Sequence, residues 1–211
     1  MERASSETVT ASSQDLKRIL RDTASVYSKH AERWGEGRTL QAEEPWLQRL
    51  TEGLEPGATV LDLGCGNGIP IGPWLTSAGF SVVGFDYAED MIRVAKDRVP
   101  QGTWHVGDMT ALPPLGPCDA ILSWDGFFHL TVAQQRKLLP ELLELLTPHE
   151  RMLLTIGDQE GEITGEVYGD TVYHASLAPD AYKSIIAAHG RKSELVIRDP
   201  QTAGRTILFV Y

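Results

Sequence analysis

Cysteine is scarce in this chain. Two residues of this type, Cys65 and Cys118, exclude a disulfide-built scaffold, and no Cys or His spacing resembles a zinc site, so no metal is expected. Both cysteines read as small buried residues. No apolar run is long enough to span a bilayer, and Met1-Glu-Arg-Ala-Ser-Ser-Glu is polar with no apolar segment behind it. A soluble, cytoplasmic protein without membrane association is the expectation. Positive charge is also in deficit, with 19 Lys and Arg against 29 Asp and Glu and a net charge of −10. Such a balance supplies no general cationic surface for releasing counterions, which argues against nucleic acid as a partner. Internal repeats and low-complexity tracts are missing, and no linker interrupts residues 50–211. The length of 211 residues fits a single domain over 1–211 with a sizeable core.

What is present is an alternation of strand and helix patterns around Val60-Leu-Asp-Leu-Gly-Cys-Gly-Asn-Gly68. Residues 1–13, rich in Ser, Thr and Glu, are expected to be disordered. Leu16, Ile19, Leu20, Thr23, Tyr27, His30, Ala31 and Trp34 then recur at helical spacing, and Pro45 suits the first turn of a second helix. Residues 14–52 thus read as a helical cap. Strands are expected at 59–63, 81–85, 103–107, 118–124 and 151–157, with helices at 69–78, 88–97 and 132–146 between them. That rhythm predicts an α/β fold with a doubly wound, mostly parallel sheet. Residues 158–176 break it as a long acidic and aromatic insertion, expected as an active-site loop or lid. A helix at 179–189 and a terminal strand pair at 191–198 and 205–211 complete the chain.

In open α/β sheets ligands bind beyond the carboxyl ends of the strands. Gly64, Gly66 and Gly68, Asp86, Asp108 and residues 124–129 fall there. Asp86 can accept both hydroxyls of a ribose, and Asp108 can accept from an exocyclic amine such as that of adenine. A nicotinamide site is disfavoured because the glycines depart from G-x-G-x-x-G, and because Asp62 beside the turn suits an amino-bearing ligand better than a pyrophosphate.

Val60-Leu-Asp-Leu-Gly-Cys-Gly-Asn-Gly68 closely resembles the first motif of the class I S-adenosylmethionine-dependent methyltransferases. Val83-Gly-Phe-Asp86 resembles their second motif, Gly107-Asp-Met109 the third element, and Phe128-His-Leu130 with residues 139–148 the region after the fourth strand. The chain is similar to small bacterial members that share an N-terminal Tyr near an Ala, here Tyr27 and Ala31, and a Tyr173-His174 pair. The resemblance implies S-adenosyl-L-methionine as cofactor, S-adenosyl-L-homocysteine as product, and a seven-stranded sheet of order 3-2-1-4-5-7-6 with the last strand antiparallel. It implies that Asp62 supports the amino end, Gly64, Cys65, Gly66, Asn67 and Gly68 form the turn under the methionine part, and Asp86 takes the ribose. Asp108 and Met109 would frame the adenine, with Tyr87, Met91, Ser123 and Trp124 completing the cofactor wall. Two stretches depart from the family: Pro148-His-Glu150 replaces Pro-Gly-Gly, and His189-Gly-Arg191 replaces Ala-Gly-Phe.

Methyl transfer depends chiefly on in-line placement, so a base matters only for a hydroxyl or a protonated amine. His129 and His174 are the candidates, with a packing or capping role open for each. Tyr27, Trp34, Trp124, Phe128, Tyr168 and Tyr173 are the candidate walls for a small-molecule acceptor, and Phe127 or Phe128 could equally be sheet packing. The stretch Ser123-Trp-Asp-Gly126 lacks the Asn-Pro-Pro-Tyr pattern of nucleobase amino methylation, a second reason to set nucleic acid aside. The expected function is methylation of an O or N atom of a small molecule. A non-catalytic cofactor-binding protein is the alternative class, and monomer and homodimer both stay open.

Overall fold

The computed structural model describes residues 12–211; the expectation of disorder over residues 1–11 lies outside them. The first helix begins earlier than its apolar pattern suggested. Ser12 caps α1 (Ser13–His30) by accepting from the Asp15 amide at 3.2 Å. Then follow α2 (Glu44–Thr51), β1 (Thr59–Leu63), α3 (Ile71–Ser77), β2 (Ser81–Asp86), α4 (Glu89–Arg98), β3 (Thr103–Val106) and β4 (Cys118–Ser123). The second half comprises α5 (Val132–Leu145), β5 (Leu146–Ile156), β6 (Gly161–Val167), β7 (Asp170–Ser176), α6 (Pro179–Ala188), β8 (Ser193–Asp199) and β9 (Arg205–Val210).

Seven strands form one sheet in the order β3-β2-β1-β4-β5-β9-β8. The first five are parallel, and β9 runs antiparallel to both its neighbours. Helices cover both faces, so alternate strand residues are buried on opposite sides. Leu61, Leu63, Ile121, Met152 and Leu154 meet Leu138, Leu139 and Leu142 of α5 and Tyr182 of α6. Val60, Val82, Leu122, Leu153 and Ile207 meet Trp46, Leu50, Leu75 and Ile92 on the other face. No helix among the described residues is long and apolar enough to cross a membrane.

The two stretches that depart from the family pattern meet in space. The pairing of β4 with β5 jumps from Cys118↔Leu146 to Ala120↔Arg151, so residues 147–150 bulge out of the ladder. The Arg191 guanidinium donates to the freed carbonyls of Leu146, Thr147 and Glu150 at 2.8, 2.6 and 3.1 Å.

The insertion at 158–176 is not a loop. It forms a β-hairpin, β6 paired with β7 in a separate two-stranded sheet. Tyr168 and Gly169 make the two-residue turn, both at positive φ (50° and 89°), as the twist of a tight hairpin requires. The hairpin leans on α1. The Thr23 hydroxyl accepts from the Tyr173 amide at 3.0 Å, and Asp170 receives Lys29 and His30, each at 2.6 Å.

Candidate active site

Beyond the carboxyl ends of β1 to β4 lies a cavity of about 450 Å³, closed on its far side by α1. Its sheet-side wall begins with Asp62, only 3 % exposed. Burial, reinforced by the nearby Asp86 charge, raises its pKa to about 7. Among the described residues no cation pairs with this carboxylate and no group donates a hydrogen bond to it.

The chain then turns, and the amides of Gly64 and Cys65 donate to the Phe85 carbonyl at 2.8 and 3.1 Å. Gly64 stands at φ +74°, and a Cβ there would lie 2.9 Å from the Gly126 Cα. The residue type is therefore set by the approach of a second backbone as well as by the turn. Asp86 Oδ2 accepts from the Gly66 amide and Oδ1 from the Ala88 amide, both at 2.8 Å. Burial raises the Asp86 pKa, and these two bonds oppose the rise. Two lone-pair positions stay free on the carboxylate. Asp108 Oδ1 is occupied by the Thr110 amide and hydroxyl at 2.8 and 2.7 Å. Cys65 lines the cavity while its sulfur sits against Gly84, and burial together with Asp62 and Asp86 pushes the thiol pKa well up, so it is no nucleophile at neutral pH.

The facing wall joins distant segments. Tyr27 Oη lies 2.8 Å from His129 Nε2, and His129 Nδ1 lies 2.8 Å from the Tyr173 carbonyl. Trp34 packs edge-on against Tyr27 at 5.1 Å between centroids. Leu20, Arg21, Ala24, Leu130 and Gln134 continue this wall. Burial, with His174 beside it, pulls the His129 pKa down to about 4.

The sequence-derived candidates divide into two groups. Tyr27, Trp34, Asp62, Gly64, Cys65, Gly66, Gly68, Asp86, Tyr87, Asp108, Met109, Trp124 and His129 line the cavity together. The others stand behind it. Asn67 is fully buried and donates to the carbonyls of Ala31 and Trp34 at 2.9 and 2.6 Å, pinning the cap to the glycine turn. Met91 is buried beneath Tyr27 and Trp34, and Ser123 donates to the Leu63 carbonyl at 2.6 Å. Tyr173, expected to touch an acceptor, is a packing residue against Ile19 whose hydroxyl bonds Glu162; only its carbonyl reaches His129. His174 does not line the cavity either. Its ring sits against Phe128 and His129, at 4.6 and 5.0 Å between centroids, and fills the space that a Cβ on Gly165 would need. Phe128 packs there with it, and Tyr168 is half exposed at the hairpin tip, bonding the Arg33 carbonyl.

Sequence reasoning missed Arg38 and underused Asp125. Asp125, at φ +57°, takes two bonds from Arg205 at 2.7 and 2.6 Å and a third contact from Arg38 at 3.3 Å. Arg38 and Asp125 both line the cavity. The one available signal was an Asp-Gly pair directly after a strand end, where left-handed backbone is common.

A Rossmann-like α/β sheet with a glycine turn, an acid with free lone-pair positions at the end of β2 and an unpaired buried acid makes a donor set suited to a nucleoside that also bears a cationic group. S-adenosylmethionine fits that donor set, because its ammonium matches the unpaired, buried Asp62 carboxyl. The profile of a family described as "Methyltransferase domain" matches residues 60–149. Trans-aconitate 2-methyltransferase of Azoarcus sp. (strain BH72) is 30 % identical over 163 residues, which are 67 % of this chain and 60 % of the relative. A tRNA (carboxymethyluridine(34)-5-O)-methyltransferase of Mus musculus is 29 % identical over 141 residues, 65 % of this chain and 20 % of the relative. The crystal structure of magnesium protoporphyrin IX methyltransferase from Synechocystis PCC 6803 with bound SAM aligns with TM-score 0.68 at 18 % identity, covering 96 % of this chain and 99 % of that one. Over residues 60–149 the chain is thus similar to methyltransferase domains, and its fold is the Rossmann-like α/β fold of the aligned structure. The chain spans 60 % or less of the length of these two sequence relatives.

Proposed function

We propose that the protein is an enzyme that transfers the methyl group of S-adenosylmethionine to an oxygen or nitrogen of a small molecule, leaving S-adenosylhomocysteine. The observation that carries this reading is the pairing of Asp62 and Asp86 in one cavity, the first without a partner and the second with two lone-pair positions free. Asp62 would hold the amino group, Gly64, Cys65, Gly66 and Gly68 the methionine part, Asp86 the ribose, and Asp108 with Met109 and Tyr87 the adenine. When bound, the cofactor supplies an electrophilic methyl group on a sulfonium. The chain's own residues orient the partner and exclude water, which favours transfer by proximity.

The acceptor would enter between α1 and residues 124–130, with Tyr27, Trp34 and Trp124 as its aromatic surroundings. A cavity of about 450 Å³ capped by α1 supports a small molecule, and the net charge of −10 weighs against a nucleic acid. Residues 12–211 are read as one catalytic domain in which the cap at 14–52 and the hairpin within 158–176 form the acceptor side.

Incubation with methyl-labelled S-adenosylmethionine and a fractionated small-metabolite extract is expected to give a labelled compound. Saturable cofactor binding with no product across broad extracts would favour a non-catalytic binder and sink the enzyme reading.

A further inference from the structure

His129 is bonded at both ring nitrogens, and the two bonds settle where its hydrogen lies. Burial keeps the His129 ring neutral at physiological pH, with one N–H, and the Tyr173 carbonyl, 2.8 Å from Nδ1, can only accept, so Nδ1 carries the hydrogen. Nε2 is then a bare lone pair, and the Tyr27 hydroxyl 2.8 Å away donates to it. A hydroxyl has one hydrogen. Tyr27 therefore offers the cavity lone pairs alone. Of its neighbours, the Thr23 hydroxyl already donates to the Ile19 carbonyl and accepts from the Tyr173 amide, and Leu20, Ala24 and Leu130 are apolar; among the N–H donors of this wall are the neutral indoles of Trp34 and Trp124.

The charges agree with the hydrogen-bond polarity. Asp62, Asp86, Asp108 and Asp125 line the cavity against Arg21 and Arg38. Arg38 is already engaged by Glu43 and Asp125, both at 3.3 Å. Arg21 stands six residues before Tyr27, about 9 Å along the helix axis.

We propose that the methylated atom is one that still carries hydrogen, an amine nitrogen or a hydroxyl oxygen donating to Tyr27 Oη, and that carboxylates are refused as acceptors. The proposal rests on the methyltransferase reading above. A carboxylate would set its lone pairs against those of Tyr27, in the field of Asp86 and Asp125. Turning the Tyr27 hydrogen toward it would leave the buried Nε2 of His129 without its donor, which offsets the bond gained. With an amine or hydroxyl the proton has a path. The acceptor's X–H bond breaks toward Tyr27 Oη and its electron pair stays on X; the Tyr27 O–H bond breaks toward His129 Nε2. Tyr27 ends as a hydroxyl again, and His129 takes the proton as an imidazolium with Nδ1–H still on the Tyr173 carbonyl, then gives it up to solvent because burial disfavours its charged form. The acceptor has exchanged a proton for the methyl group of the sulfonium donor, so charge balances.

Three readouts test this. Nitrogen-15 NMR of the wild-type protein, assigned with a His129→Gln variant, is expected to find His129 neutral with hydrogen on Nδ1; hydrogen on Nε2 would overturn the proposal. The labelled products from the metabolite extract are treated with mild alkali, which releases labelled methanol from methyl esters and leaves methylamines and methyl ethers intact. Alkali-stable label is expected, and cation exchange then separates amine from ether products; labelled methanol as the main outcome refutes the proposal while leaving the methyltransferase reading standing. No labelled product at all defeats that underlying reading instead. Tyr27→Phe is expected to lower kcat about a hundredfold with S-adenosylhomocysteine affinity unchanged within twofold, and an unaltered kcat would count against the relay.

Discussion

The wall at the ends of β1, β2 and β3 is held together by backbone amides and short-range geometry, with Asp86 reaching the Gly66 amide 20 residues away. The facing wall joins Tyr27 to His129 across 102 residues and Thr23 to Tyr173 across 150. The first is built by a strand–turn–helix unit whose residue types are dictated locally. The second exists only because α1 and the hairpin pack over the same edge of the sheet. Under the proposed function the local wall holds the cofactor and the assembled wall chooses the acceptor, which would let one change while the other stays.

The sharpest way to break that division is Asp86→Ala. It removes the two proposed ribose bonds, each worth about 1.5–3 kcal/mol as a bond to a charged group. S-adenosylhomocysteine affinity measured by calorimetry is expected to fall at least about a hundredfold, and unchanged affinity would remove Asp86 from the cofactor wall.

A smaller effect comes from pH. Asp62 has its pKa raised to about 7 by burial, so in the free protein it is ionised above that value and protonated below it. An ammonium ligand needs the ionised form and draws the pKa back down. Affinity for S-adenosylhomocysteine should therefore be flat above about pH 7 and weaken by up to about tenfold per pH unit below it. Asp62→Asn should flatten the profile, and affinity that rises on acidification would contradict the assignment.

The smallest effect on the cofactor is expected from Thr23→Val. This change keeps the shape but leaves the buried Tyr173 amide without its acceptor, a cost of about 1–2 kcal/mol in urea unfolding. S-adenosylhomocysteine affinity should stay the same while acceptor KM rises. A loss of cofactor affinity would show that the two walls are coupled.

Much of the cavity's sheet-side wall was legible because its signals are local. Gly64 follows from the abrupt end of an apolar run, and Asp86 and Asp108 follow from acids at strand ends. Asn67 misled for the same reason: its place in the glycine motif suggested ligand contact, whereas its amide is taken by carbonyls of the cap. The insertion misled differently. Its glycines and acids suggested a loop, but β6 is mostly exposed while β7 turns Val172, Tyr173, Ala175 and Ser176 inward, so its strand character depends on α1 being there to cover it. Gln135 was invisible as well. It is fully buried, gives its amide to the carbonyls of Leu130 and Ala175 at 2.8 Å each, and receives the Tyr182 hydroxyl. In sequence it is one more polar residue on a leucine-rich helix.

By itself the sequence determined the alternation of strands and helices, the glycine turn and the acids at its rim. Hydrophobic period and the positive φ of glycine act within a few residues, and a ligand that binds strand ends is met by residues the pattern already counts. Only the tertiary structure decided that Tyr27 faces His129, that His174 and Tyr173 stand behind the cavity, and that Asp125 is shared by Arg38 and Arg205. Those arrangements depend on which surfaces of α1 and the hairpin can be buried together, and the direction of a hydroxyl's hydrogen is set by the partner that packing brings to it.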